Sequence, residues 1–156
     1  MVGNSQGAVS GAIVGMDGDD FSGDCAVNEG SALLDGFVGY EGPYDYDWVL
    51  TALPKPDLDL LSMREEDPDQ WEAINPYSHI GGNGDLVVRL IHGDDTDLAW
   101  YEVPRAFSVD FHQALTEAGY DVELTLLDGA SHIALTKPGT EAFEVTVQTV
   151  MQVAGG

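Results

Sequence analysis

Gly3-Asn4-Ser5-Gln6-Gly7, continued by AVSGAIVGM (8–16), decides how this chain is read. The pentapeptide is Gly-x-Ser-x-Gly, a pattern that presents a serine on a sharp turn between a strand and a helix. Such a turn accepts only small neighbours, which accounts for Gly3 and Gly7. The helix has room to form over 5–16. Its small apolar residues would let it pack closely on a sheet, although three glycines lower its intrinsic propensity. The strand is not expected to form, because so little chain precedes Gly3. Alone the motif is a weak signal, and its weight depends on what lies downstream.

Working outward, LLDGFVGY (33–40) is a short apolar run that reads as a buried strand. LVVRLIH (86–92), rich in branched apolar residues, reads as a second, and DVELTLLD (121–128) alternates as a third. Val103, Phe107, Phe111, Ala114, Leu115 and Ala118 share one helix face that Gly119 stops. Phe143, Val147, Val150, Met151 and Ala154 mark a last helix. Strands alternating with helices imply right-handed crossovers and a parallel sheet. The expected fold is therefore α/β: one domain over 1–156, with about three parallel strands flanked by helices. Residues 41–83, rich in proline and aromatics, form an irregular or cap-like excursion. Its aromatics either line a pocket or pack the excursion onto the sheet.

Composition narrows the partners. The chain has 156 residues, with 28 acidic against 5 basic and a formal net charge of −23. Such a surface repels nucleic acid and anionic membranes. No apolar run approaches the ~20 residues of a membrane span. Aspartates outnumber glutamates and lysine is nearly absent, which fits adaptation to high salt, where counter-ions screen the repulsion. Cys25 is the only cysteine, so no internal disulfide forms. Asp17, Asp19, Asp20 and Asp24 look like a calcium loop, but the EF-hand spacing fails at Phe21 and the distal glutamate is missing. The four histidines lack zinc spacing. No metal or cofactor is expected.

Three features sit at ends of the expected elements: Ser5, the acidic turn Asp94-Asp95-Thr96-Asp97, and His132 in the turn Gly129-Ala130-Ser131-His132. In a parallel sheet the loops after the strands' carboxyl ends converge on one edge, where ligands bind. A serine hydroxyl becomes a nucleophile when a histidine takes its proton, and a carboxylate holds that histidine in the useful tautomer. The backbone N–H of Gln6, just after the serine, would donate to a developing oxyanion.

On GNSQGA (3–8), FVGYEGPYDY (37–46), INPYSHI (74–80), VVRLIHGDDTDL (87–98) and LTLLDGASHIAL (124–135), the chain resembles the α/β-hydrolase family, in its esterase and prolyl-oligopeptidase-like branch. The order Ser, Asp, His is that family's order. The resemblance implies hydrolysis of small-molecule carboxylic esters, less often amides, through an acyl-enzyme and without a cofactor. It implies Ser5 as nucleophile and His132 as general base and then acid. In related sequences the acid stands four residues after the histidine of the His-Gly turn, which here is Thr96. Asp95 is favoured because Asp95-Thr96-Asp97-Leu98 keeps the family habit of acid, two residues, then a branched apolar residue. Asp97 and Asp94 are the alternatives. The family's strands before the nucleophile, and its second oxyanion donor, would precede Met1. The chain is thus expected to be a C-terminal half with little turnover alone. The rival expectation is a non-catalytic binding or assembly module that self-associates through an open sheet edge.

Overall fold

A computed structural model of the chain describes residues 1–21, 33–52, 58–95 and 103–155. In chain order the main elements are β1 (Val2–Asn4), α1 (Gln6–Asp17), β2 (Gly36–Tyr40), α2 (Tyr46–Ala52), α3 (Leu58–Glu66), α4 (Pro68–Ile74), β3 (Val87–Asp95), α5 (Arg105–Glu117), β4 (Asp121–Ser131) and α6 (Glu141–Gly155). The four strands form one sheet in the order β1-β2-β3-β4. Every pairing is parallel. The α/β class and the flanking helices are as the sequence pattern predicts. The pattern predicts about three strands, and the described residues hold four. Val2–Asn4 does form a strand, because Val38–Tyr40 offers it a parallel partner in register.

All five residues of β2 are buried, the mark of a strand covered on both faces. The two-residue period then assigns the core. Phe37 from β2, with Val88 and Leu90 from β3, points to one face, where it meets Ala8, Val9, Ala12 and Met16 of α1 and Phe107, Phe111 and Leu115 of α5. Val38, Tyr40 and Ile91 point to the other, against Leu127 of β4, Leu135 from the turn after it, and Ala142 of α6. Burying each such large side chain contributes roughly 1.5–3 kcal/mol. The small residues of α1 are what let it approach. A Cβ on Gly11 would lie 2.5 Å from Cε2 of Phe37, and one on Gly15 would lie 3.0 Å from Cδ2 of Leu86.

The excursion packs on α5. Tyr44 stacks on Phe111 with centroids 4.3 Å apart, and Tyr77 meets the same ring edge-on at 5.3 Å. Trp48 meets Phe107 edge-on at 4.7 Å while staying exposed. Of the two roles left open for these aromatics, packing is the one these contacts carry. His79 joins this packing: its Nδ1 lies 2.6 Å from Oδ2 of Asp17, tying the excursion to the end of α1. At the carboxyl edge both later strands outrun expectation. β3 continues to Asp95, and β4 continues through the expected turn to Ser131, with Asp95 opposite Ser131. A register shift between Gly93 and Asp95 and the left-handed Gly129 (φ 72°) absorb the mismatch.

The packing of α1 makes a stability prediction. In Gly11→Ala, better helix propensity contributes about 1 kcal/mol, but overpacking against a fully buried ring costs about 1–3 kcal/mol. The substitution is expected to lower the melting temperature by several degrees. Gly7→Ala, whose Cβ would meet nothing within 4 Å, is expected to leave it unchanged or raise it.

Candidate active site

Ser5 sits between β1 and α1 with φ 55° and ψ −126°, in a left-handed conformation that a side chain rarely adopts. Two hydrogen bonds hold it there: its N–H donates to the carbonyl of Tyr40 at 2.9 Å, and its own carbonyl accepts from the Ala8 N–H at 2.9 Å. The motif's glycines are unequal. A Cβ on Gly3 would lie 2.2 Å from the Gly7 carbonyl oxygen, so Gly3 lets strand and helix touch, whereas Gly7 faces open space. The first-turn amide of Gln6 has no acceptor within α1, as for any helix start. The Gln6 side chain bonds the Tyr46 hydroxyl.

Glu41 follows β2 directly. It is 5% exposed and has φ 46°. With Ser5 it makes the pair of non-glycine residues in the left-handed region among the described residues. Its N–H donates to the carbonyl of Ile91 at 3.0 Å. Its carboxylate is held at both oxygens. Oε1 accepts from the Gly93 N–H at 2.8 Å, and Oε2 bonds Nδ1 of His132. Gly93 is fixed by the same contact, since a Cβ there would lie 2.8 Å from that Oε1 and 2.1 Å from the Ala130 carbonyl oxygen.

His132 follows β4 and reaches back over the edge. Nδ2 of Asn4 donates to its carbonyl at 3.1 Å. The preceding carbonyl, of Ser131, accepts from the Tyr40 hydroxyl at 3.0 Å. Burial first, then the charge and hydrogen bonding of Glu41, push the Tyr40 phenol well above its usual range and keep it a donor. Ser5 and His132, expected together from sequence, are therefore tied to the same edge through the neighbour Asn4. Asp95 belongs to β3 by its backbone. The side chains of Asp94 and Asp95, and all of Asp97, lie outside the described residues, as does Cys25. Glu41, which bonds both Gly93 and His132 at this edge, is a residue that sequence reading did not single out. Its signal was a lone carboxylate placed directly after an otherwise apolar strand.

His92, also at this edge, is structural. It is 2% exposed. Its Nε2 donates to the carbonyl of Val103 at 3.1 Å, so Nδ1 accepts from the Ser108 hydroxyl at 2.9 Å. Burial lowers its pKa, and the nearby Glu41 charge opposes that only in part.

Several solved esterases are similar to this chain. Est2 from the Planctomycetes species Thermogutta terrifontis, with butyrate bound, matches with a TM-score of 0.69 at 21% identity, over 97% of this chain and 53% of its own. A truncated carbohydrate esterase from gut microbiota matches with 0.68 at 22%, over 99% and 59%. Inhibited esterase B from Lactobacillus rhamnosis matches with 0.70 at 12%, over 99% and 52%. The chain shares the α/β fold of these esterases, a parallel sheet flanked by helices, over about half of each of them. The chain spans about half the length of these esterases. No protein-family model matches the sequence, and no curated protein sequence matches it.

The His92 environment predicts a pH dependence. The unfolded side chain gains a proton near its ordinary value of 6.5, while the folded one resists it. Stability from the neutral ring is full above that value and is lost as pH falls through the lowered folded value. In urea unfolding, His92→Gln is expected to flatten the loss of stability between about pH 7 and pH 5.5. A slope equal to the wild type's would contradict this.

Proposed function

We propose that this chain carries the nucleophile and the general base of a serine hydrolase that cleaves small carboxylic esters through an acyl-enzyme. The observation that supports it most is the strained Ser5 on a strand-to-helix turn, with His132 tied to the same edge through Asn4. Strain of this kind costs about 1–3 kcal/mol and collects at functional sites.

In this reading Nδ1 of His132 is turned to a carboxylate, so Nε2 is the nitrogen that takes the Ser5 proton. The Ser5 Oγ attacks the ester carbonyl. The Gln6 N–H and the positive end of α1 stabilise the oxyanion. The tetrahedral intermediate expels the alcohol, which takes the proton from His132. Water, deprotonated by His132, then attacks the acyl group and releases the acid with Ser5 restored. The resemblance implies Asp95 as the third member, with Asp97 and Asp94 as its alternatives, and Glu41 joins them as the carboxylate that bonds Nδ1 of His132. Esters rather than amides are favoured by analogy with the esterases of the same fold.

A second reading keeps the fold without the chemistry. Among the described residues β1 lies at one edge of the sheet with Met1 and Val2 exposed, where a strand of another chain would pair. A fluorophosphonate probe separates the two. The hydrolase reading expects stoichiometric labelling at Ser5 by intact mass, none in Ser5→Ala, and labelling slowed by about 10³–10⁴-fold in His132→Gln. A folded protein that stays unlabelled and forms a dimer in light scattering would overturn it.

A further inference from the structure

We propose that Glu41, just after β2, is the positioning carboxylate that holds His132, the role the family resemblance gives to Asp95 at the end of β3. This inference rests on the serine-hydrolase reading above. Four independent features of the residue converge on it.

The first is the contact itself. The imidazole has one proton at Nδ1, and Oε2 of Glu41 is there to accept it. The second is how the carboxylate is fixed. Its other oxygen takes the Gly93 N–H at 2.8 Å, so the group cannot rotate away from His132. A backbone amide on one oxygen and an imidazole on the other is the arrangement that orients a ring, because each bond restrains the other. The third is burial. At 5% exposure the carboxylate has little water to compete with these donors, and charge-assisted bonds in such surroundings are strong. The fourth is backbone strain. Glutamate gains nothing by sitting at φ 46°, where glycine would be easier, unless its side chain is needed at that point. Ser5 shares the same type of strain at the end of the adjacent strand.

Topology makes the reach possible. β2 lies between the strand that carries Ser5 and the strand that carries Gly93. A side chain from its end therefore stands between the nucleophile and the turn after β4. His132 bends back over β3 to meet it, and the bonds from Asn4 to the His132 carbonyl and from Tyr40 to the Ser131 carbonyl hold that bend.

The test compares Glu41→Gln, Glu41→Asp, Asp95→Asn and Asp97→Asn in the whole chain, with two readouts. In the first, fluorophosphonate labelling of Ser5 is split into probe affinity and maximal rate. Glu41→Gln is expected to lower the maximal rate by about 10³-fold or more with affinity little changed, since a neutral amide also favours the wrong tautomer. Glu41→Asp, which keeps the charge, is expected to recover at least tenfold of it. The Glu41→Gln loss is expected to exceed those of the two aspartate variants by about 100-fold. A Glu41→Gln rate within threefold of wild type, or a larger loss in either aspartate variant, would overturn the proposal.

The second readout does not need reactivity. In protein labelled with ¹⁵N-histidine, a far-downfield Nδ1 proton assigned to His132 is expected in wild type and in Ser5→Ala, and is expected to vanish in Glu41→Gln. Its absence from the wild type would overturn the Glu41 assignment. Its presence in a wild type that never labels at Ser5 would support Glu41 while refuting the hydrolase reading. The two failures are thus distinguishable.

Discussion

The Glu41 carboxylate joins three strands at one point. It grows from β2, takes the Gly93 amide of β3, and holds the imidazole that follows β4. Without it, a buried amide and a ring nitrogen would lose their acceptor together. A buried donor left unsatisfied costs about 1–3 kcal/mol. The carboxylate is equally dependent on them, because an ionised group buried without partners is far more costly. The edge is therefore an assembly of mutually required parts. Gly93 can only be glycine where its Cβ would strike both Oε1 and the Ala130 carbonyl. Tyr40 can only be a donor to Ser131 while its phenol stays protonated, as burial and Glu41 ensure.

Beneath this edge the fold is ordinary in its physics. Alternate residues of β2 and β3 feed two apolar layers, one under α1 and α5 and one under α6. The scarce cations are used close to home. Arg89, 8% exposed, bonds Asp121 at 2.9 Å at the opposite end of the sheet, and Arg64 pairs with Asp47 at 3.1 Å. The exposed pair contributes little by itself. Among the described residues no helix is long and apolar enough to cross a membrane.

Much of this was legible in the sequence, and the reasons for the rest are local. Apolar runs and alternation located β2, β3 and β4, and facing apolar residues located α5 and α6. β1 escaped because the few residues before Ser5 read as too short for a strand; it exists through pairing with Val38–Tyr40. The true ends of β3 and β4 escaped because Gly93 and Gly129 read as turn residues, yet here they carry a register shift and a bend within paired strands. Ser5 and His132 were visible because a turn motif and an expected strand end mark them. Glu41 was not. Its environment is created by residues 52 and 91 positions away, brought together only by the sheet order. A spacing rule applied within the 94–97 turn could not see it.

The most direct test of this account is the thermodynamic coupling between Glu41 and His132. Unfolding by urea of wild type, Glu41→Gln, His132→Gln and the double variant isolates the pairwise contribution. A buried charge-assisted bond predicts a coupling of about 1.5 kcal/mol or more, with the double variant less destabilised than the two single losses combined. Losses that add to within about 0.5 kcal/mol would mean that the two side chains do not hold each other, and the account of the edge would fall.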